Sequence, residues 1–235
     1  MGRMKVTVVG ASGLIGTKVV EVLKREGHDV VAASRSSGVD VLTGEGLADA
    51  LAGAESLVDV TNSPSFEDGA VMAFFTTSAT NLVGAARRAG AGHYVALSIV
   101  GVDGLPDSGY FRAKVAQEKI ITESGIPYSI VRATQFAEFA DAITESLTDG
   151  DEVRVPDALI QPIPSDDVAS AVARAAVGEP LNGIVNIGGP MRVSFEQMAR
   201  DALARKGDDT TTVVVDPEAR YFGAALGTRS LVTSG

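Results

Sequence analysis

The sequence predicts an α/β protein with a doubly wound parallel sheet and a small C-terminal α/β lid. A glycine-rich turn, Gly10–Gly16, follows the apolar run Val6–Val9 and opens an amphipathic helix. Strand and helix patterns alternate over the first 133 residues, which is typical of a parallel sheet with right-handed crossovers. The run Ser56–Val60 is almost wholly apolar, as expected for a parallel strand covered on both faces.

Residues 1–133 contain five predicted strands joined by crossover helices. The strands are 4–9, 30–33, 56–60, 94–97 and 128–131, and the helices are 14–26, 45–52, 70–90 and 110–124. Glycines end the first and third of these helices. Ligands of such sheets bind beyond the carboxyl ends of the strands. We therefore expect the functional residues at 10–13, 34–36, 61–64, 98–101 and 132–136.

Residues 134–235 have a looser pattern and are expected to form a lid that shares one core with the first part. Helices are predicted at 135–147, 166–177 and 195–206, and strands near 152–155, 159–163 and 184–187. The strands near 160 and 185 are candidates to join the main sheet. Ser194 and Gln197 have the spacing of a capping box. The last stretch, Thr228–Gly235, has no periodicity and is expected to fray.

Composition excludes several classes of function. A net charge of −10 argues against a nucleic-acid partner, which would require an excess of Lys and Arg. The absence of cysteine excludes disulfides and thiolate chemistry, and only two histidines are present, so we expect no metal site. No stretch approaches the roughly 20 apolar residues of a membrane span. We expect a cytoplasmic protein, either a monomer or a homodimer, that binds a small molecule.

The glycine turn predicts a cradle for the pyrophosphate of a dinucleotide in a Rossmann-type sheet. Gly10 allows the tight turn, Gly13 lets the backbone approach the phosphates, and Gly16 lets the helix pack against the strand. The free N–H groups and the positive dipole end of the helix face the anion. The predicted cofactor contacts here are Gly10, Ser12, Gly13, Leu14, Ile15 and Gly16.

The end of the second strand favours NADP(H) over NAD(H). An NAD-binding protein usually carries an acid at this point, whereas this chain has Ser34-Arg35-Ser36. The Arg35 guanidinium can form paired hydrogen bonds with a ribose 2′-phosphate, and the serine hydroxyls can add to them. The alternative is a solvated surface arginine. The remaining predicted cofactor contacts are Asp40 and Val41 beside the adenine, and Thr61, Asn62, Lys114, Thr134 and Phe136.

Ser98, Tyr110 and Lys114 form a candidate catalytic set. Ser98 ends the fourth strand, while Tyr110 and Lys114 are four residues apart and share one face of the next helix. A nearby ammonium group lowers the pKa of a phenol. We therefore expect Lys114 to tune Tyr110 as the proton donor to a carbonyl oxygen that Ser98 orients. In the alternative interpretation Tyr110 caps the helix and Lys114 is a solvated charge.

Together these motifs resemble the short-chain dehydrogenase/reductase superfamily and, more narrowly, its atypical NmrA-like NAD(P)H-binding branch. Further matching segments are Ala96-Leu97-Ser98, Gln117–Arg132, Thr134-Gln135-Phe136 and Gln161–Ala169, so the resemblance covers essentially the whole chain. It implies that Ser98, Tyr110 and Lys114 are catalytic and that 132–136 lies beside the nicotinamide. The chain departs from the superfamily at the proton-relay position, which falls near the apolar Phe75, whereas Asn81 matches a packing residue.

The substrate is expected to be a small or medium, mostly apolar carbonyl compound or a quinone. Its pocket should lie between the strand ends and the lid, beside a possible flap at 61–69. Arg132 is expected to be buried and paired with an acid. The predicted substrate contacts are Phe66, Ile99, Val100, Phe139, Tyr221 and Phe222.

The predicted function is therefore NADPH-dependent reduction of such a substrate, with Tyr110 as proton donor. Two alternatives stay open. One is a non-redox isomerase, dehydratase or cyclase on the same scaffold, which would hold its nucleotide through purification. The other is a catalytically silent NADP(H) redox sensor, whose function would survive the Tyr110→Phe substitution.

Overall fold

The computed structural model describes residues 2–234 and contains a six-stranded parallel sheet. The strands of the whole chain are β1 (Lys5–Val9), β2 (Asp29–Ala33), β3 (Ser56–Asp59), β4 (His93–Ile99), β5 (Tyr128–Ala133), β6 (Thr148–Asp149), β7 (Glu152–Val155), β8 (Leu159–Ile160), β9 (Gly183–Ile187), β10 (Val193–Ser194), β11 (Thr212–Val215), β12 (Arg220–Tyr221) and β13 (Ala224–Ala225). The main sheet has the order β2-β1-β3-β4-β5-β9, and all of its pairings are parallel. The predicted fold class is confirmed.

Helices cover both faces of this sheet because its strands carry apolar side chains on both sides. The helices are α1 (Leu14–Arg25), α2 (Leu47–Leu51), α3 (Asp68–Ala89), α4 (Gly109–Thr122), α5 (Ala140–Ser146), α6 (Ser165–Val177) and α7 (Phe195–Lys206). On one face Val6, Val8 and Val58 pack against α1 and α6. On the other face Val9 and Leu57 pack against α2, α3 and α4. Burial of these two layers is the main stabilising contribution to the fold.

The second half of the chain builds a third apolar core. It contains Ile143 of α5, Val153 of β7 and Phe195 of α7. Phe111 of α4 belongs to the same cluster, so this half is packed directly onto the sheet half. Strand β7 pairs with β6 and β11, and β12 pairs with β13 in a tight hairpin.

The predicted strands near 160 and 185 have different outcomes. Strand β9 pairs with β5 and forms an edge of the main sheet. Strand β8 was wrongly predicted to join that sheet: it is antiparallel to β10, because Ile160 is fully buried in the third core. The predicted strand 159–163 also ends early, since Pro162 has no N–H to donate to a ladder.

The C-terminal stretch does not fray over the residues that the structure describes. Leu231 is fully buried and forms a β-bridge with Ile160. Thr233 donates from its backbone N–H and its hydroxyl to Gln161 Oε1, at 3.0 and 3.1 Å. Gly235, the last residue of the stretch that was predicted to fray, lies outside the described residues. Sequence periodicity could not show this packing, because the segment contributes side chains singly to another element's core.

Two predicted helix starts are also corrected. The helix expected at 135–147 begins at Ala140, after a single 3-10 turn over 137–139. The capping box of α7 is half formed. The Ser194 hydroxyl accepts from the Gln197 backbone N–H, whereas the Gln197 side chain donates to Asp201, one turn later. No helix within residues 2–234 has both the length and the hydropathy needed to cross a bilayer.

His93, at the start of β4, gives the fold a predictable pH dependence. Its Nε2 lies 2.9 Å from Ser129 Oγ, and burial lowers the pKa of His93 below its ordinary value. The folded state therefore disfavours the proton that the unfolded chain takes up, so stability falls as the pH drops below about 6.5, by at most about 1.4 kcal/mol per pH unit. Urea unfolding across this range measures the slope, which His93→Gln should reduce. An equal slope in that variant would exclude His93 as its source.

Candidate active site

A cleft of about 520 Å³ runs along the carboxyl edge of the main sheet. The glycine turn, the end of β2, the end of β3 and the start of α4 form its walls. Many of the predicted cofactor and catalytic residues line it: Gly10, Ser12, Gly13, Leu14, Ile15, Ser34, Arg35, Val41, Thr61, Asn62, Ser98, Tyr110, Lys114 and Phe136. The fold thus brings residues more than 100 positions apart in sequence to one edge.

The glycine turn has the shape that a pyrophosphate cradle requires. Gly10 has φ +88°, and a Cβ there would lie 2.8 Å from Val60 O. A Cβ at Gly16 would lie 2.1 Å from Gly10 O, so no side chain fits between the turn and α1. At Gly13 a Cβ would meet only Gly10 O, at 3.4 Å, so the space above this residue is open. These residues therefore fit a dinucleotide phosphate at the helix start.

Arg35 is positioned to contact an anionic group at the adenosine end of the cleft. Its side chain is 65% exposed, and its Nε lies 3.7 Å from Asp40 Oδ2, which leaves most of the guanidinium available. Ser36 and Asp40 do not line the cleft. Ser36 Oγ is 2.8 Å from Ser34 Oγ, and Asp40 Oδ1 accepts from Leu42 N at 2.7 Å. These two predicted contacts instead order the loop around Arg35.

Asn81 holds the neighbouring loop in place, as predicted for a packing residue. Its Nδ2 donates to Val41 O at 2.9 Å and to Leu42 O at 3.0 Å. Val41 lines the cleft, so α3 fixes the wall at which we expect the adenine.

Tyr110 faces the cleft as a neutral phenol. Its hydroxyl donates to Asn62 Oδ1 at 3.0 Å, and burial raises the pKa of Tyr110 to about 12. The expected lowering by Lys114 is not found, because the ammonium group is engaged elsewhere. A neutral phenol can donate a proton over the whole physiological pH range.

Lys114 is a buried cation, not a solvated charge. Its Nζ donates to Leu97 O at 2.9 Å and to Gln117 Oε1, and it lies 4.6 Å from the centroid of the Phe75 ring. Burial lowers the pKa of Lys114 to about 8, against the opposing effect of the Asp59 and Glu118 carboxylates. The ammonium is therefore held at the cleft by fixed acceptors.

Asp59 is a positioning residue that the sequence reasoning missed. Its Oδ2 accepts from Gln117 Nε2 and Tyr94 Oη, both at 2.9 Å, and Gln117 in turn accepts from Lys114. Its Oδ1 accepts from the Thr61 backbone and hydroxyl at 3.1 and 2.7 Å. Asp59 thus connects Gln117, the hydrogen-bond partner of Lys114, to Thr61, the residue before Asn62. The sequence signal that could have identified Asp59 is its position as an acidic residue at the end of an apolar strand.

A second cavity of about 360 Å³ opens from the same site toward the lid. Aromatic rings dominate it, and no charged side chain lines it among residues 2–234: its aromatic members are Phe66, Tyr110, Phe111, Phe136, Phe139, Tyr221 and Phe222. Ser98 and Ile99 line both cavities. The Ser98 hydroxyl is buried and has no hydrogen-bond partner in the described part of the chain.

Phe222 reaches this cavity through a strained turn. It stacks on Tyr110 with ring centroids 5.6 Å apart and an interplanar angle of 26°. Its φ of +48° is unfavourable for a bulky residue and occurs at the tip of the β12–β13 hairpin, followed by Gly223 at φ +81°. Such strain at a cavity wall is typical of functional sites.

Two predicted site residues have other roles. Val100 is only 3% exposed and lines neither cavity, because its position after β4 turns it into the protein interior. Thr134 lines the second cavity, but its hydroxyl donates to Gln161 O, so that hydroxyl is not free to bind a cofactor. Phe74, by contrast, lines the first cleft without having been predicted.

Arg132 is buried and paired as predicted. Its Nε and Nη2 donate to the two carboxylate oxygens of Glu118 at 2.9 and 2.6 Å, and its Nη1 donates to Asp103 at 3.0 Å. The paired bonds join β5 to α4 directly below the site. Across residues 2–234 no group of three or more His, Asp or Glu side chains is arranged to hold a metal ion.

Comparisons with known proteins agree with this geometry. The NAD(P)H-binding family model matches residues 10–178. A search of curated proteins gave no significant match.

Several solved structures share the fold. A dTDP-4-dehydrorhamnose reductase ortholog from Clostridium acetobutylicum is similar at 20% identity and a TM-score of 0.71, over 91% of this chain and 84% of that one. MoeE5, in complex with UDP-glucuronic acid and NAD, is 20% identical with a TM-score of 0.71, over 90% of this chain and 89% of that one. The NADPH-dependent quinone oxidoreductase of Escherichia coli, complexed with NADPH, is 21% identical with a TM-score of 0.64, over 90% of this chain and 77% of that one.

The family match covers the glycine turn, the end of β2 and the Ser98, Tyr110 and Lys114 set. The identities to the solved structures are low, so these likenesses establish the Rossmann-type fold alone. The chain belongs to the NAD(P)H-binding family.

Proposed function

We propose that the protein is an NADPH-dependent reductase of a small or medium apolar carbonyl compound or quinone. The observation that carries the proposal is the meeting of two unlike cavities at Tyr110 and Ser98. One fits a dinucleotide and contains the cationic Arg35 and Lys114, whereas the other is aromatic and uncharged. The proton-donating phenol of Tyr110 lines both cavities, and so does Ser98, whose buried hydroxyl is unpaired among the described residues.

In this proposal NADPH would lie along the first cleft in one direction. The glycine turn and the start of α1 would hold the pyrophosphate, and Ser34 and Arg35 would hold the 2′-phosphate. Lys114 would contact the nicotinamide ribose, since its Nζ is fixed at the opposite end of the cleft. The bound reduced nicotinamide would supply a hydride for the carbonyl carbon.

The chain's own residues would supply the proton and orient the substrate. The Ser98 hydroxyl would donate a hydrogen bond to the carbonyl oxygen, because it has no partner among the described residues. The Tyr110 hydroxyl would turn from Asn62 and give its proton to the same oxygen as negative charge develops there. Addition of this proton to the oxygen completes the alcohol when the substrate is a simple carbonyl compound. A quinone would take the hydride at its other oxygen, so that this proton completes the hydroquinone.

The aromatic lining favours an uncharged substrate. Two of the similar folds bear names that refer to dTDP- or UDP-linked sugars. A diphosphate requires cationic or clustered N–H donors, and the second cavity has no Lys or Arg among its lining residues within 2–234. Phe66, Phe139 and Phe222 instead provide flat apolar surfaces, which suit a planar carbonyl compound or quinone.

A redox sensor is the second candidate, and one observation favours it. The residue near the proton-relay position of the superfamily that the chain resembles is the apolar Phe75, and its ring centroid lies 4.6 Å from Lys114 Nζ. A sensor would bind NADP+ and NADPH with very different affinities and would keep its function after Tyr110→Phe. A reductase requires turnover, which that substitution should lower strongly.

Arg35→Ala tests the cofactor preference. We expect about 10- to 100-fold weaker NADPH binding and no change for NADH, because charge-assisted hydrogen bonds to the 2′-phosphate contribute about 1.5–3 kcal/mol. Fluorescence titration of the wild type and the variant with both cofactors measures this. Arg88→Ala, at an exposed arginine near the end of α3, is the matched control. Equal wild-type affinities for NADPH and NADH would contradict the assignment of Arg35.

A further inference from the structure

We propose that Asn62 donates a hydrogen bond to the carbonyl oxygen of the substrate and presents this oxygen to Tyr110. The inference rests on the proposed function and adds a catalytic residue to it, since the sequence predicts Asn62 only as a cofactor contact. Among residues 2–234, the polar residues that line both cavities are Asn62, Ser98 and Tyr110. Asn62 is the exposed one of the three, so a ligand can reach its amide.

A backbone donor defines the orientation of the Asn62 amide. The Ser63 N–H can only donate, and its nitrogen lies 3.0 Å from Asn62 Oδ1, so the oxygen is the amide atom that faces it. The Tyr110 hydroxyl donates to the same oxygen, also at 3.0 Å. Asn62 Nδ2 has no hydrogen-bond partner in the part of the chain that the structure describes. This nitrogen is therefore a donor that a ligand can use.

The loop that carries Asn62 is fixed on both sides of it. Asp59 Oδ1 accepts from the backbone N–H and the hydroxyl of Thr61, at 3.1 and 2.7 Å. On the other side the Ser63 hydroxyl donates to Ser65 O at 2.7 Å and accepts from Ser65 N at 3.2 Å. These contacts order the backbone around Asn62 without a ligand. A donor that is already oriented needs little reorganisation when negative charge develops on an oxygen.

One amide would then contact both the proton donor and the proton acceptor. Oδ1 and Nδ2 of Asn62 are bonded to the same carbon, so an oxygen that accepts from Nδ2 would lie beside the Tyr110 hydroxyl. The phenol proton would turn from Oδ1 to that oxygen, while Asn62 keeps its own protons. Because Nδ2 can only donate, the group that it binds is an acceptor such as a carbonyl oxygen.

Other free polar groups of the aromatic cavity lie farther from the cofactor cleft. The Tyr221 hydroxyl and the Gln135 amide nitrogen also lack hydrogen bonds within the described chain. Both residues line the aromatic cavity, but neither lines the cofactor cleft, where the hydride would arrive. They are placed to contact remote parts of a substrate, whereas Asn62 is placed to contact the reacting oxygen.

An absorbance probe tests the donor without any turnover. The probe para-dimethylaminocinnamaldehyde is uncharged and planar, and its absorption moves to longer wavelength when its carbonyl oxygen accepts a hydrogen bond. It is titrated into the Tyr110→Phe protein loaded with NADP+, so that the phenol does not contribute to the shift. We expect a red shift on binding. Asn62→Asp and Asn62→Leu, each added to Tyr110→Phe, should remove most of it.

The two substitutions separate the donor from the structural role of the amide. Aspartate keeps an acceptor for the Ser63 N–H but has no N–H to donate, whereas leucine removes the donor without adding a charge. Asn186→Ala, at an exposed position of β9, is the matched control and should keep the shift. A red shift that persists in either Asn62 variant overturns the assignment, as does a failure of the probe to bind or to shift.

Turnover is measured separately, with Tyr110 present, as oxidation of NADPH by the same aldehyde. Asn62→Asp should lower the turnover number by about 10²- to 10³-fold, as for the loss of one preorganised donor to a developing oxyanion. A red shift that depends on Asn62, without oxidation of NADPH, would refute the proposed reductase activity and leave the role of Asn62 supported. Oxidation that does not depend on Asn62 would do the reverse.

Discussion

Replacing Tyr110 by Phe should lower the turnover number for NADPH oxidation by about 10²- to 10⁴-fold, the usual contribution of a general acid. The ring would stay between Phe66 and Phe222, whose centroids lie 5.4 and 5.6 Å away, so only the proton donor is lost. Steady-state kinetics with a quinone measures the loss. Titration with NADPH should show unchanged affinity, because the phenol contacts Asn62 and no phosphate-binding residue.

Tyr128→Phe provides the matched control. Tyr128 begins β5, at the opposite edge of the sheet from the cleft. The control should keep wild-type turnover and cofactor binding. Wild-type turnover in Tyr110→Phe would exclude the phenol as the proton donor.

Replacing Arg132 by Met should destabilise the protein by about 3–5 kcal/mol, the typical cost of removing one partner of a buried ion pair. The Glu118 side chain is 9% exposed and would lose its bidentate guanidinium partner. Urea unfolding should show a lower midpoint with an unchanged slope, since the surface exposed on unfolding stays the same.

Two further variants show whether the loss in Arg132→Met comes from the burial of the ion pair or from the removal of any arginine. Arg154 pairs with Glu152 and Asp216 at the surface, and Arg154→Met should leave the urea midpoint almost unchanged. Combining Arg132→Met with Glu118→Leu should recover part of the stability, because no buried charge is then left unpaired. A loss in Arg132→Met no greater than that in Arg154→Met would contradict the buried role.

The sheet half of the fold was predictable because its signals are local. Apolar runs such as Val6–Val9, helical periodicity in α1 and stops at Gly27 and Gly90 depend on neighbours in sequence. The structure confirms that the strands of the main sheet are parallel. Most predicted ends of strands and helices in this half differ from the observed ones by one or two residues. The predicted strand ends also indicated where the cleft lies, because the carboxyl ends of parallel strands meet at one edge of the sheet.

The lid was less predictable because its elements are held by distant contacts. Strand β8 is two residues long and pairs with β10, more than 30 residues later, and Leu231 completes the same core. Nothing in the composition of Thr228–Gly235 indicates that burial. Short elements of this kind depend on tertiary packing and not on local propensity.

The candidate site shows the same division. Strand ends and helix spacing predicted Ser98, Tyr110 and Lys114 as a catalytic set, but they did not predict the hydrogen-bond partners of Lys114. Its ammonium bonds to Leu97 O and Gln117, and the route to Asp59 crosses three elements. The expected effect on the Tyr110 pKa failed for that reason: proximity on one helix face does not show what each group is bonded to.

The most direct test of the reductase proposal is a single-turnover experiment. The protein loaded with NADPH is mixed rapidly with a quinone or an aromatic aldehyde, and the absorbance of the reduced nicotinamide is followed. The proposal predicts a decay whose rate rises with substrate concentration and which Tyr110→Phe slows. A constant absorbance with NADPH bound, across uncharged quinones and aldehydes, would contradict reduction and favour a binding protein that senses the cofactor.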